Sequence, residues 1–254
     1  MTVIEGLALA AAGVAAGIVS TVVGLASVVS YPALLAIGLP PLAANMTNTV
    51  ALLFTGVGAA AGSRPELAGQ ASRIRRLGTI AALGGGAGAA LLLVTPPQTF
   101  VRVAPILIGA ASLALLAPSR QDRAPGPGAG PGHDTRSPWL LAGVAGVAVY
   151  IGYFGAAGGI VMLALLIAMV AEPLARVNAV KNMLGAIANA VAAVAFAVFG
   201  HVDWAAVVPL AGGFLVGGWT GPALVRRIPA RVLRVVVAAC GLAVAVRLGL
   251  SAYR

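Results

Sequence analysis

The chain has 254 residues, 60% of them hydrophobic and 9% charged, with a mean hydropathy of +1.02. A soluble domain carries roughly 25% charged residues, so this composition excludes a soluble globule and points to a chain that crosses a membrane several times. The net charge of +10 is no nucleic-acid footprint, because the basic residues form short clusters between apolar runs, as cytoplasmic loops do under the positive-inside rule.

In chain order, the N-terminal stretch MTVIEGLALAAAG lacks a basic region and carries Glu5, so it reads as a retained first span rather than a cleaved signal. The first two apolar segments are Val3–Val23 and Leu25–Ile37. Together they are too long for one crossing and short for two, since a full span takes about 20 residues. A hairpin with a short or broken helix fits, bent near Gly24; two short tilted helices in a thinned bilayer remain the alternative.

The motif LPPLAANMTN leads into a third segment, Ala44–Gly62. Pro40 and Pro41 end the preceding helix and suit the first turn of the next. Asn45, Thr47 and Asn48 cluster at that helix start, with Asn45 and Asn48 on one face. They can donate to an anion together with the helix N-terminus, or serve as caps and interhelical hydrogen bonds. The loop Ser63–Arg76 then brings Arg64, Arg73, Arg75 and Arg76, and is followed by apolar segments Leu77–Val94 and Phe100–Leu116.

Residues 118–138, PSRQDRAPGPGAGPGHDTRSP, are too rich in proline and glycine to build a core and read as a flexible cytoplasmic linker. Beyond it lie Trp139–Phe154 and Ala157–Val170, a second hairpin bent at Gly155–Gly159 with Gly158 inside the bend. Then comes EPLARVNAVKN, opening the segment Val177–Phe199. Asn178, Lys181 and Asn182 share this helix start, and Asn189 falls near the same face. Lys181 adds a positive charge that an anion in a low-dielectric cavity needs, or else snorkels to the headgroups. Segments Ala205–Val225 and Val232–Leu250 end the chain.

Residues 1–117 and 139–254 read as two copies of one unit. Gly24 and Asn48 recur 134 residues on as Gly158 and Asn182, and Pro97, Arg102 and Gly109 recur 132 residues on as Pro229, Arg234 and Gly241. Charge inverts between the copies. The loop Ser63–Arg76 is basic where its counterpart Gly200–Trp204 is not, while the uncharged Thr95–Thr99 corresponds to a loop with Arg226, Arg227 and Arg231. Equivalent loops therefore lie on opposite sides, a common transporter plan with its site at the repeat interface. The expected fold is all-α, with eight to ten membrane segments in two inverted halves.

Other chemistry is absent from the pattern. No G-x-x-x-x-G-K-[ST] phosphate loop occurs, no acid stands mid-span, and the one cysteine, Cys240, can form no intrachain disulfide. No catalytic set, metal site or cofactor is implied. Glu172 and Asp203 stand beside loops, as proton-coupling carboxylates or as solvated and capping residues.

The motif LPPLAANMTN, the run NAVKNMLGAIANAVAAVAFAVFGHVDW and the tail GGWTGPALVRRIPARVLR resemble the sulfite exporter TauE/SafE family of bacterial membrane proteins. That resemblance implies a multi-pass permease of the bacterial plasma membrane that exports sulfite or organosulfonates. The chain departs from the family pattern in its first hairpin, where VVGLAS keeps only Gly24. The expected partners are a small anionic substrate and the lipid bilayer, with homo-oligomerisation open. Uptake of another small anion or metabolite, or a non-transporting scaffold, are the competing readings.

Overall fold

The computed structural model describes residues 2–22, 24–116, 137–155, 158–170 and 172–225, with isolated positions between 235 and 250. The linker expectation, the last apolar segment, Cys240 and the Pro229–Arg234–Gly241 half of the repeat signature lie largely or wholly outside the described residues.

Among the described residues the elements are all helical. They are α1 (Val3–Val22), α2 (Ala26–Ala36), α3 (Pro41–Gly62), α4 (Arg64–Leu67), α5 (Ala71–Val94), α6 (Pro97–Leu116), α7 (Pro138–Tyr153), α8 (Gly158–Met169), α9 (Leu174–Phe199) and α10 (Trp204–Val225). Five of them, α1, α3, α5, α9 and α10, are long and apolar enough to cross a membrane. Several helices start before the apolar run that announces them. Helix α5 begins at Ala71 and carries Arg73, Arg75 and Arg76 in its first turns, because a helix continues through polar residues that hydropathy discounts.

Helices α2 and α8 are short, with 11 and 12 residues. At 1.5 Å per residue each covers about 16–18 Å, roughly half of a 30 Å hydrocarbon core. The chain enters α2 through Gly24 (φ 87°) and leaves α7 through Gly155 (φ 74°), the two places where a bend is expected. Both residues sit in the left-handed region that glycine adopts without steric cost. The two hairpins also touch: a Cβ placed on Gly24 would stand 2.6 Å from the carbonyl carbon of Gly159.

Lipid tails are as apolar as leucine, so helices here associate by close packing and interhelical hydrogen bonds rather than by hydrophobic burial. The close packing is reciprocal. Helix α1 packs on α10 as α7 packs on α5, α10 packs on α3 as α5 packs on α9, and α3 meets α9 between them. The contacts match to the atom. A Cβ on Gly85 of α5 would strike the Ala188 carbonyl oxygen, and one on Gly218 of α10 would strike the Thr55 carbonyl oxygen. Gly85 and Gly218 are 133 residues apart, as are Thr55 and Ala188. The same spacing separates Pro40 from Pro173, which cap α3 and α9. In this register Asn45 corresponds to Asn178 and Asn48 to Lys181, one residue off the alignment read from sequence. Under the first hairpin, Tyr31, Phe100 and Phe154 join α2, α6 and the end of α7 edge to face, at 5.7–5.8 Å between ring centroids.

Candidate functional site

Helix α9 opens after Glu172 and Pro173. Pro173 has an extended backbone (φ −54°, ψ 140°) that starts the helix abruptly at Leu174. Two turns in, Asn178 and Lys181 stand on one face, three apart, and both reach the C-terminus of α1. Asn178 donates Nδ2–H to the Thr21 carbonyl at 3.0 Å, and Lys181 donates from Nζ to the Ser20 carbonyl at 3.3 Å. Those carbonyls belong to the last turn of α1, where no intrahelical donor remains. The helix end carries about half a negative charge, which favours a cation there without neutralising it.

Lys181 is only 3% exposed, and no carboxylate pairs with it among the described residues. It lines a cavity of about 60 Å³ together with Asn182, Asn189, Thr21, Thr55, Gly185 and the hairpin glycines Gly24, Gly155 and Gly159. A water needs roughly 10–15 Å³ by this measure, so the space holds about four waters or one compact anion. Asn182 Nδ2 and Thr55 Oγ1 are buried there without a hydrogen-bond partner among the described residues. The Thr21 hydroxyl instead bonds back to Gly17 and Ile18 of its own helix. An ammonium with donors to spare, a free amide N–H and a free hydroxyl face one small volume that no carboxylate lines among the described residues. Such a lining suits an oxyanion.

Of the residues singled out from sequence, Lys181, Asn182, Asn189, Gly24, Gly155 and Gly159 line this cavity; Asn45, Thr47, Asn48, Asn178 and Gly158 do not. Asn45 donates Nδ2–H to the Tyr153 carbonyl at the end of α7 (3.1 Å), the counterpart of the Asn178–Thr21 bond. Asn48 donates to Ser27 Oγ at 3.1 Å. Thr47 Oγ1 accepts the Asp203 backbone N–H at 3.0 Å, and Asp203 Oδ1 accepts from Ala206, capping α10. Gly158 packs on the Ile151 side chain. Sequence reasoning missed Ser20, Thr21 and Thr55. The hydroxyls of Ser20 and Thr21 near a predicted helix break were a usable signal, whereas Thr55 inside an apolar helix gave none.

Glu172 is held at the mouth of α9 by two hydrogen-bond donors and an ion pair. Arg73 Nη1 and Gln70 Nε2 donate to it at 3.0 and 3.1 Å, Arg176 pairs with it at 2.9 Å, and Arg176 also donates to the Ala68 carbonyl. The network ties α5 and the loop before it to the start of α9.

Five helices long and apolar enough to cross a membrane, packed around a small polar cavity, define a multi-pass membrane protein. The chain belongs to the sulfite exporter TauE/SafE family, whose family model matches residues 9–248. It is therefore a membrane transporter. No curated protein and no solved structure matches the chain.

Proposed function

We propose that this chain exports small sulfur-containing anions, sulfite or a small organosulfonate, across the plasma membrane of a bacterium through the cavity at Lys181. The observation that carries the reading is Lys181 itself: a buried ammonium, unpaired with any described carboxylate, beside two orphaned donors in a space of anion size. A buried charge of this kind is costly unless something compensates it, and a bound anion does so. Reciprocal packing of α1 on α10 and α7 on α5 supports two inverted halves, residues 1–117 and 139–254. The cavity draws half its lining from each, which suits alternating exposure of one central site to the two sides.

Flux of sulfite and of a small sulfonate in proteoliposomes tests the reading. The account expects wild-type protein to move at least one of them, with flux lost in Asn182→Ala while the protein stays monodisperse. A wild-type protein that moves neither anion supports the scaffold or other-solute reading instead.

A further inference from the structure

Gly185 stands inside α9, one turn beyond Lys181, and lines the cavity. Three reasons usually explain a glycine in a helix: a left-handed backbone, a neighbour too close for a Cβ, or a need for open space. Gly185 has no positive φ, so the first does not hold. A Cβ built on it meets nothing within 4 Å, so the second does not hold either. The other cavity glycines are explained otherwise. Gly24 and Gly159 press on each other, Gly56 presses on Ala186, and Gly155 has φ 74°. Gly146 and Gly212 also meet nothing, but both lie on the outer surface and away from the cavity. A glycine destabilises a helix interior relative to alanine. At Gly185 what that cost leaves in place is empty volume on the wall next to Lys181 and Asn182. The corresponding position of α3, 133 residues earlier, is Leu52, which lines the same cavity with a full side chain. The space is therefore one-sided.

We infer that Gly185 is the size-determining position of the transport site: Lys181 and Asn182 hold the anionic head, and the space at Gly185 receives the substituent it carries. This rests on the cavity being the anion site. An alkanesulfonate has one apolar substituent on an oxyanion head, whereas sulfite has none. A methyl at Gly185 occupies volume that only the former uses.

The test is a ladder of sulfite, methanesulfonate, ethanesulfonate and propanesulfonate, each measured for flux in proteoliposomes. Gly185→Ala lowers the ratio of the longest transported sulfonate to sulfite by about tenfold or more, the usual worth of one methylene-sized change in a binding pocket. Gly185→Ser is the second variant should the alanine protein fold poorly, and outward-facing Gly146→Ala leaves the ratio unchanged. An unchanged ratio in both Gly185 variants overturns the inference. So does a wild-type protein that moves sulfite alone, because the space then receives no substituent. Lys181→Ala separates this from failure of the site reading: flux that survives Lys181→Ala removes the site, whereas flux lost there with an unaltered ladder in Gly185→Ala removes only the role of Gly185.

Discussion

The amide of Asn178 donates to the carbonyl of Thr21 across 3.0 Å, and so joins the start of α9 to the end of α1, 157 residues earlier. Asn45 repeats the arrangement at 3.1 Å, from α3 to the Tyr153 carbonyl that ends α7. Each asparagine satisfies an orphaned carbonyl at the point where a hairpin turns back. Both were candidates for binding substrate on sequence grounds; the structure gives them protein partners outside the cavity.

Asn178→Ala and Asn45→Ala therefore destabilise by about 1 kcal/mol each, the scale of interhelical hydrogen bonds in membrane proteins. Thermal unfolding in detergent measures this. The two losses add in the double variant, because the bonds share no partner. Equal stability of wild type and both single variants would show that these bonds do not hold the hairpins.

Glycines divide by environment. Gly24→Ala must force a side chain into φ 87° and against Gly159, so it costs about 2 kcal/mol or more and lowers the yield of folded protein. Gly212→Ala, in a helix and meeting nothing, stabilises by up to about 1 kcal/mol. A thermal-shift comparison of the two variants reads opposite signs.

The network at Glu172 predicts coupled losses. Its side chains are 19–39% exposed, so each ion pair contributes at most about 1 kcal/mol. Glu172→Gln removes both pairs at once, and its loss of stability exceeds that of Arg73→Ala or Arg176→Ala alone. A double-mutant cycle on the two arginines, followed by thermal unfolding at low and high salt, checks both the coupling and its screening.

Much of this fold was legible because its signals are local. Pro40 and Pro41 mark the start of α3, Pro173 marks that of α9, and Gly24 and Gly155 mark the bends. Lys181 stood out as a cation in apolar sequence. Helix α4 was not legible, being one turn inside a basic loop and started by Pro65. The partners of Asn45 and Asn178 were hidden for a physical reason: a backbone carbonyl accepts a hydrogen bond whatever residue carries it. Thr55 was hidden as well. A threonine in a membrane helix usually bonds back to its own helix, as Thr49 does to Asn45, and only its surroundings reveal that Thr55 does not. The 134-residue register failed by one position at α9 because glycine is too frequent here, and two asparagines stand close together at each helix start, so neither fixes an alignment, whereas close contacts at Gly85 and Gly218 do fix it.

On the proposed function, the cavity carries a cost when empty, and that cost falls on Lys181. Replacing it with methionine of similar length removes a buried charge without a carboxylate partner among the described residues. Lys181→Met therefore unfolds at a higher temperature than wild type in anion-free detergent, and the difference narrows as sulfite is added to both.

The most direct measurement is sulfite flux through Lys181→Met in proteoliposomes beside wild type, with equal reconstitution confirmed. Loss of a charge-assisted hydrogen bond to the anion corresponds to about 10- to 100-fold lower flux, and that fall, in a protein at least as stable as wild type, is the predicted result. Flux equal to wild type would contradict the account, because the buried ammonium would then serve the fold alone and the anion would pass elsewhere.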